Sequence, residues 1–223
     1  MIFFTADLHL GHANIIKHCD RPFSTVEEMD EHLISAWNSR VRQNDSVYIL
    51  GDLIFRSSAS PESYLGQLRG KKYLILGNHD KDWVKKADMT KHFVSMERFA
   101  EISDGQHKIT LCHYPLMSWN HIAKGSYMIH GHIHNNRDAM YFPLIRDMPN
   151  LLNAGVEINN YHPVRFDELV KNNENFKSIK SEDETVNEIT LQVTPNIKQK
   201  IRGIKRQTES KPNQTCQAGA RIK

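Results

Sequence analysis

Cysteine is scarce in this chain: Cys19, Cys112 and Cys216 are the three thiols among 223 residues, and no two are near neighbours. That spacing excludes a disulfide framework and a zinc ribbon, and points to thiols of a reducing compartment. Long apolar runs are missing as well. The opening MIFFTADLHLGH carries an apolar run of only four residues, has no basic stretch before it and soon reaches Asp7, so no signal peptide is expected there. Nothing approaches the roughly 18 apolar residues of a membrane span. The expectation is a soluble cytoplasmic protein without a membrane partner. Positive charge is also in short supply over most of the chain. Residues 1–194 hold 21 basic and 25 acidic side chains, whereas 195–223 hold eight basic and one acidic, so the formal net charge of +3 belongs to the tail. A body of that sign is no obvious nucleic-acid surface, although the tail can supply non-specific phosphate contacts that weaken with salt.

Apolar residues amount to 39%, enough for a core at this length, and 223 residues correspond to one large domain with an appendage. Short apolar runs end repeatedly in polar groups. Ile2 to Ala6 stops at Asp7, Val47 to Leu50 at Gly51-Asp52, Tyr73 to Leu76 at Gly77-Asn78-His79-Asp80, and Lys108 to Cys112 at His113. Tyr127 to His130 runs into Gly131-His132-Ile133-His134, and Leu151 to Ile158 is a further strand candidate broken by Gly155. Each run reads as a buried strand, and open α/β sheets build their sites past the carboxyl ends of such strands. Between them, Thr25 followed by Glu28 forms a capping box ahead of Met29, Leu33, Ile34, Trp37 and Val41, which predicts a helix. Ser60-Pro61 opens a second, Asp82 to Lys91 suggests a third, and Phe99 to Ile102 with Ile109 to Cys112 reads as a hairpin around Asp104-Gly105. The expected domain is 1–170, with Asp167 to Val170 starting a last helical turn. An extension over 171–194 carries one strand at Glu188 to Val193, and 195–223 is expected to be a flexible basic tail.

With 13 histidines the chain is rich in imidazole, and the residues at the strand exits are Asp7, His9, Asp52, Asn78, His79, His113, His132 and His134. All are oxygen or imidazole donors and none is a thiolate. Such a set suits Mn²⁺, Fe or Zn²⁺ and exceeds what one tetrahedral site needs. His12 stands one turn past the first of these residues, where it either touches substrate or orients a ligand. Arg21 and Arg56 are phosphate-clamp candidates whose alternative is a carboxylate partner. His130 and Cys112 alternate away from their neighbours and are read as packing residues.

In this order the motifs resemble the calcineurin-like metallophosphoesterase superfamily, over about three quarters of the chain. The blocks Asp7-Leu8-His9, Gly51-Asp52, Gly77-Asn78-His79-Asp80, His113 and Gly131-His132-Ile133-His134 carry the likeness. It is narrowed by Asp7-Leu8-His9-Leu10-Gly11-His12 and Arg21-Pro22-Phe23 to a small bacterial and phage branch. The resemblance implies a four-layer αββα sandwich of two mixed β-sheets flanked by helices, and a binuclear centre of two divalent ions, Mn²⁺ foremost. It implies that Asp7, His9, Asp52 and His134 hold one ion, that Asp52, Asn78, His113 and His132 hold the other, and that Asp52 bridges. His79 then faces the substrate as a proton donor and Asp80 orients it. In one place the chain departs from many relatives: Phe55 stands where a second Asp follows Gly51-Asp52, leaving Arg56 as a phosphate contact.

The chemistry implied is hydrolysis of a phosphodiester or a small phosphomonoester, a nucleotide among them, by in-line attack of a hydroxide shared by two ions. The alternatives are a nuclease or RNA-end-processing phosphodiesterase using the basic tail on nucleic acid, and a non-catalytic metal-binding scaffold. Oligomeric state is left open by the sequence.

Overall fold

A computed structural model describes residues 1–178. Four strands, β1 (Ile2–Thr5), β2 (Ser46–Ile49), β3 (Lys71–Ile75) and β4 (Phe93–Glu97), pair in parallel in that order. An isolated antiparallel bridge between Phe4 and Val164 adds to the edge at β1. The second sheet runs β5 (Phe99–Ser103), β6 (Lys108–Cys112), β7 (Tyr127–His130) and β8 (Leu151–Asn153). There β5 and β6 form an antiparallel hairpin, and the remaining pairs are parallel.

Strand alternation assigns the layers. Successive side chains of a strand face opposite sides of the sheet. On β1, Phe4 points into a cluster with Leu50, Ile75, Ile109, Leu111, Ile129 and Leu152, which is the seam between the two sheets. Phe3 points the other way, to Met29, Leu33 and Trp37 of helix α2 (Val26–Arg40). In the second sheet Ile129 and Leu152 face the seam, while Met128 and Leu151 face Phe142, Ile145 and Phe176 on the outer side. Helix, sheet, sheet and helix therefore stack as four layers, the α/β sandwich expected of the sequence.

The helix before β2 starts where the capping box sets it: Thr25 Oγ1 accepts from Glu28 N at 3.2 Å, and Glu28 Oε2 accepts from Ser24 N at 2.7 Å. Preceding it is a short α1 (Ala13–His18), and α3 (Pro61–Leu65) follows β2 with Ser60 as its cap. Elsewhere the chain differs from the pattern. The predicted helix over 82–91 is two short ones, α4 (Lys81–Val84) and α5 (Met89–His92), divided where Asp88 accepts from Thr90 N and Lys91 N. Strand β4 carries no alternation because it lies at the sheet edge with Phe93 as its one buried residue. Past Gly155 the chain forms a 3-10 turn, Val156–Asn159, and not a continued strand. Between β7 and β8 lies α6 (Phe142–Arg146).

The last helix, α7 (Phe166–Ser178), runs well beyond Val170, because Leu169, Asn173 and Phe176 fall on one buried face within otherwise polar text. The predicted strand at 188–193 and the basic tail lie outside the described residues. No helix among the described residues is long and apolar enough to cross a membrane.

Candidate metal centre

Because β1, β2 and β3 run parallel, as do β6, β7 and β8, their carboxyl ends open on the same rim, and the polar groups there meet. Asp7 and His9 leave β1, Asp52 leaves β2, Asn78 and His79 leave β3, His113 leaves β6, and His132 and His134 leave β7. The turns are tight. Asp7, His9, Asp52, His132 and His134 all have left-handed backbones, with φ of 58°, 52°, 53°, 74° and 50°. Asp and His tolerate that region better than most side chains, but each position still costs on the order of 1 kcal/mol. Two glycines permit the close approach. A Cβ on Gly77 would stand 2.2 Å from Asp52 Oδ1, and one on Gly51 would stand 2.5 Å from His113 Nδ1.

Among the described residues ligand atoms converge in three groups; one is Cys19, His134 and Glu157, and the other two overlap at Asp7. Asp7, His9 and His134 each place one within 4.8 Å of the others, and so do Asp7, Asp52 and His113. Asp52 joins the two, since its Oδ2 lies 3.6 Å from His9 Nε2 and 3.5 Å from His113 Nε2. Asp7 belongs to both groups, a closer involvement with the second than the resemblance implied. His132 stands beside His113, ring centroids 5.1 Å apart, and its backbone N–H donates to both oxygens of Asp7 at 3.0 and 2.9 Å.

Several features fit a cation. His113 Nδ1 lies 2.7 Å from the Leu50 carbonyl and donates to it, so in its metal-binding form the ring is unprotonated at Nε2. Nε2 is then a bare lone pair facing two more acceptors, Asn78 Oδ1 at 3.0 Å and Asp52 Oδ2. Three lone pairs directed at one another repel unless a positive charge stands among them. His9 is 2% exposed and neither ring nitrogen has a hydrogen-bond partner. Burial, then the charges of His134 and Arg21, hold that ring well below the ordinary imidazole range, so it stays neutral and able to ligate. Burial pushes the Asp7 carboxyl up to about 6 against the pull of His134 and His113.

His134 is oriented from behind. Its Nδ1 lies 2.8 Å from Glu157 Oε1, leaving Nε2 for the centre. Burial opposes charge on this ring, but Asp7, then Cys19 and Glu157, outweigh it and lift the group to about 11. For Glu157 burial works against the carboxylate, and Arg21 with His134 overturns it, to about 2. Sequence alone gave Glu157 no role; its signal was its place just past the β8 exit. Carboxylates behind ligating imidazoles commonly tune metal affinity about 10–100-fold. Glu157→Gln is therefore expected to weaken ion binding by about that factor, read by competition with a chromophoric chelator. Unaltered affinity would remove Glu157 from the centre.

Two expectations need correction. Arg21 does not reach the cleft. Its side chain is fully buried, pairs with Glu157 at 2.6 Å, and donates to the carbonyls of Asp7 at 2.6 Å and Leu8 at 2.8 Å. It braces the β1 exit and the carboxylate behind His134, so it is a positioning residue and no phosphate clamp. Asp80 does not orient His79 by a hydrogen bond. Its carboxylate accepts from the backbone N–H groups of Asp52, Leu53 and Gly77 at 2.9, 3.0 and 2.7 Å, and from the Trp83 indole at 2.8 Å. What Asp80 fixes is the turn that carries Asp52.

The remaining predicted residues line the cleft. The ring of His79 lies 5.5 Å from that of His9, and its backbone N–H donates to Asp52 Oδ1 at 2.9 Å. His12 stands 5.4 Å from His9, and burial brings it down to about 4. Arg56 is exposed, with its guanidinium over the Phe55 ring.

His130 turns away, as alternation predicts. It is fully buried, with Nδ1 on the Gly131 carbonyl at 2.8 Å, and burial lowers it to about 3 from 6.5. Its protonation therefore favours the unfolded chain. The stability it lends is whole above about pH 6.5 and is lost as pH falls toward 3. Metal-free His130→Gln, followed by urea unfolding between pH 6 and 4, should show a stability slope shallower by about 1.4 kcal/mol per pH unit. Parallel slopes would refute this.

A sandwich of two sheets with oxygen and imidazole groups gathered at the strand exits is the arrangement that the metal-dependent phosphoesterase resemblance implied. The calcineurin-like phosphoesterase model matches residues 1–203, and the chain belongs to that family. Over 172 residues it is 40% identical to an uncharacterized protein of Methanocaldococcus jannaschii, covering 76% of this chain and 89% of that one. With the Gene 66 protein of Mycobacterium phage L5 it shares 31% identity over 160 residues, 60% of this chain and 77% of the phage protein. A crystal structure of a protein of unknown function from Aquifex aeolicus superposes with a TM-score of 0.60 at 26% identity, covering 77% of this chain and 98% of that one.

Proposed function

We propose that this protein hydrolyses a phosphodiester or a small phosphomonoester at a binuclear centre, with Mn²⁺ as the preferred ion and Fe or Zn²⁺ as alternatives. The observation that carries the reading is the single Asp52 oxygen between His9 and His113, 3.6 and 3.5 Å away, a carboxylate available to both ligand groups. Asp7, His9, Asp52 and His134 would hold one ion, and Asp52, Asn78, His113 and His132 the other. Such a pair supplies positive charge to the phosphoryl oxygens and lowers the pKa of an attacking water. The chain's own contribution is geometric and protic. Asp80 and Gly77 hold Asp52 in place, Glu157 and Arg21 orient His134, and the buried walls keep the ligands desolvated. His79, at the edge of the cleft, gives a proton to the departing oxygen, a task suited to imidazole near neutral pH.

Stripping the protein with a chelator and restoring Mn²⁺, Fe²⁺ or Zn²⁺ tests this on bis(p-nitrophenyl) phosphate, p-nitrophenyl phosphate, nucleotides and oligonucleotides. Two ions per chain and ion-dependent hydrolysis are expected. A protein that holds two ions and cleaves none of these is a binding scaffold, and the proposal fails.

A further inference from the structure

Two clefts meet at one ridge. The first, of about 670 Å³, opens on the ligand cluster and reaches Lys17 and His18. The second, of about 570 Å³, is walled by Ser57, Ser58, Ser60 and Lys86. Both volumes fall in the range of about 300–1,000 Å³ that ligand sites occupy. Phe55, Arg56 and His79 belong to the walls of both clefts.

The ridge is built, not incidental. The Phe55 ring packs 4.0 Å from His79 and stands edge-on to His12 at 4.7 Å. Its backbone N–H donates to the Leu10 carbonyl at 3.2 Å, which ties the segment to the β1 exit. Arg56 then adopts a left-handed backbone, φ 49°, and lays its guanidinium 5.0 Å from the Phe55 ring centre. A left-handed arginine persists where its surroundings fix it, and such strain gathers at binding sites. Among the described residues Lys17, Arg56 and Lys86 make no ion pair, so one free cation serves the first cleft, one the ridge and one the second cleft. Asp82 is the carboxylate on the second cleft's wall.

A compact monoester would need only the first cleft. We propose that the second cleft holds the leaving-group half of the substrate, and that this half is hydroxylated and itself phosphorylated, the repeating chemistry of a nucleic-acid strand. This rests on the phosphoesterase reading above. The scissile phosphate lies on the ligand side of the ridge. The next phosphate lies beyond it against Lys86, with a sugar hydroxyl at Ser58, since the Ser57 hydroxyl already bonds the Tyr64 hydroxyl and Ala59 N, and the Ser60 hydroxyl accepts from Ser63 N as the cap of α3. In the reaction, water oxygen bonds to phosphorus, the ester bond to the leaving oxygen breaks, that oxygen takes the proton of His79, and the water proton passes to solvent. His79 borders both clefts, as a donor to that oxygen must.

The test uses the full chain loaded with Mn²⁺. Its substrates are bis(p-nitrophenyl) phosphate and a dinucleotide, the latter bare or with a 5′- or 3′-terminal phosphate, and chromatography follows scission of the internucleotide bond. One of the phosphorylated dinucleotides should be cut with kcat/KM about tenfold or more above the bare one, the gain of one charge-assisted phosphate contact. Lys86→Ala should reduce that advantage to less than about threefold, whereas Lys124→Ala, which lines neither cleft, should leave it intact. Equal cleavage of bare and phosphorylated dinucleotides, or an advantage that survives Lys86→Ala, overturns the proposal while hydrolysis of bis(p-nitrophenyl) phosphate keeps the phosphoesterase reading. Failure to cleave the simple diester with two ions bound overturns that reading itself.

Discussion

Asp52→Asn should abolish hydrolysis, lowering kcat by about 10³-fold or more, and should leave the purified protein short of bound ions. The reasoning runs from a single atom. Among the described residues, Oδ2 of Asp52 is the one carboxylate oxygen within 3.6 Å of both His9 Nε2 and His113 Nε2. An amide in its place removes a negative charge that two cations share, and turns one of the two oxygens into an NH₂ that cannot ligate. The fold should survive, because the backbone N–H groups of Asp52 and Leu53 still donate to Asp80 and the remaining side-chain oxygen of an asparagine can still accept from His79 N. Elemental analysis after dialysis against Mn²⁺, with circular dichroism as the check on folding, measures both halves. Two retained ions in a folded Asp52→Asn protein would show that the carboxylate does not bridge.

His79→Asn should behave in the opposite way toward metal. Its kcat is expected to fall by about 10² to 10⁴, the range for a proton-transfer group, with two ions still bound. The backbone N–H of His79, not its ring, supports Asp52 at 2.9 Å, so the substitution leaves that contact in place. The loss should also shrink with better leaving groups, since a nitrophenolate departs without help and a ribose alkoxide does not. Loss of metal in this variant, or a deficit equal for both kinds of leaving group, would remove His79 from the role of acid.

The strands and most of the candidate ligands were legible in the sequence because they are written locally, whereas the four-layer stack followed from the family resemblance. A short apolar run that ends in Gly-Asp or Gly-Asn-His announces both the strand and its exit, and parallel pairing then gathers the exits at one rim. Glu157 and Arg21 were not legible in the same way. Their partnership spans 136 residues, and only the fold shows that one carboxylate oxygen serves both the guanidinium and His134. Asp80 was read from its neighbour in sequence, whereas its partners are the N–H groups of the β2 exit. The second half of α7 was hidden for a compositional reason: Asn173 is buried yet polar, donating to the carbonyls of Asn153 and Leu169 at 3.0 and 2.9 Å, so its face carries no apolar signal. β4 was hidden for another, since an edge strand with one buried side chain shows no period of two.

The left-handed turns at Asp7, His9, Asp52, His132 and His134 carry a consequence for ion choice. Backbone conformations of that kind are set when the chain folds and cannot relax cheaply afterward. The candidate ligands would therefore be largely placed before an ion binds, and ions whose radius suits that placement would be favoured. Discrimination among metals would then rest on ionic radius together with the oxygen and imidazole character of the donors.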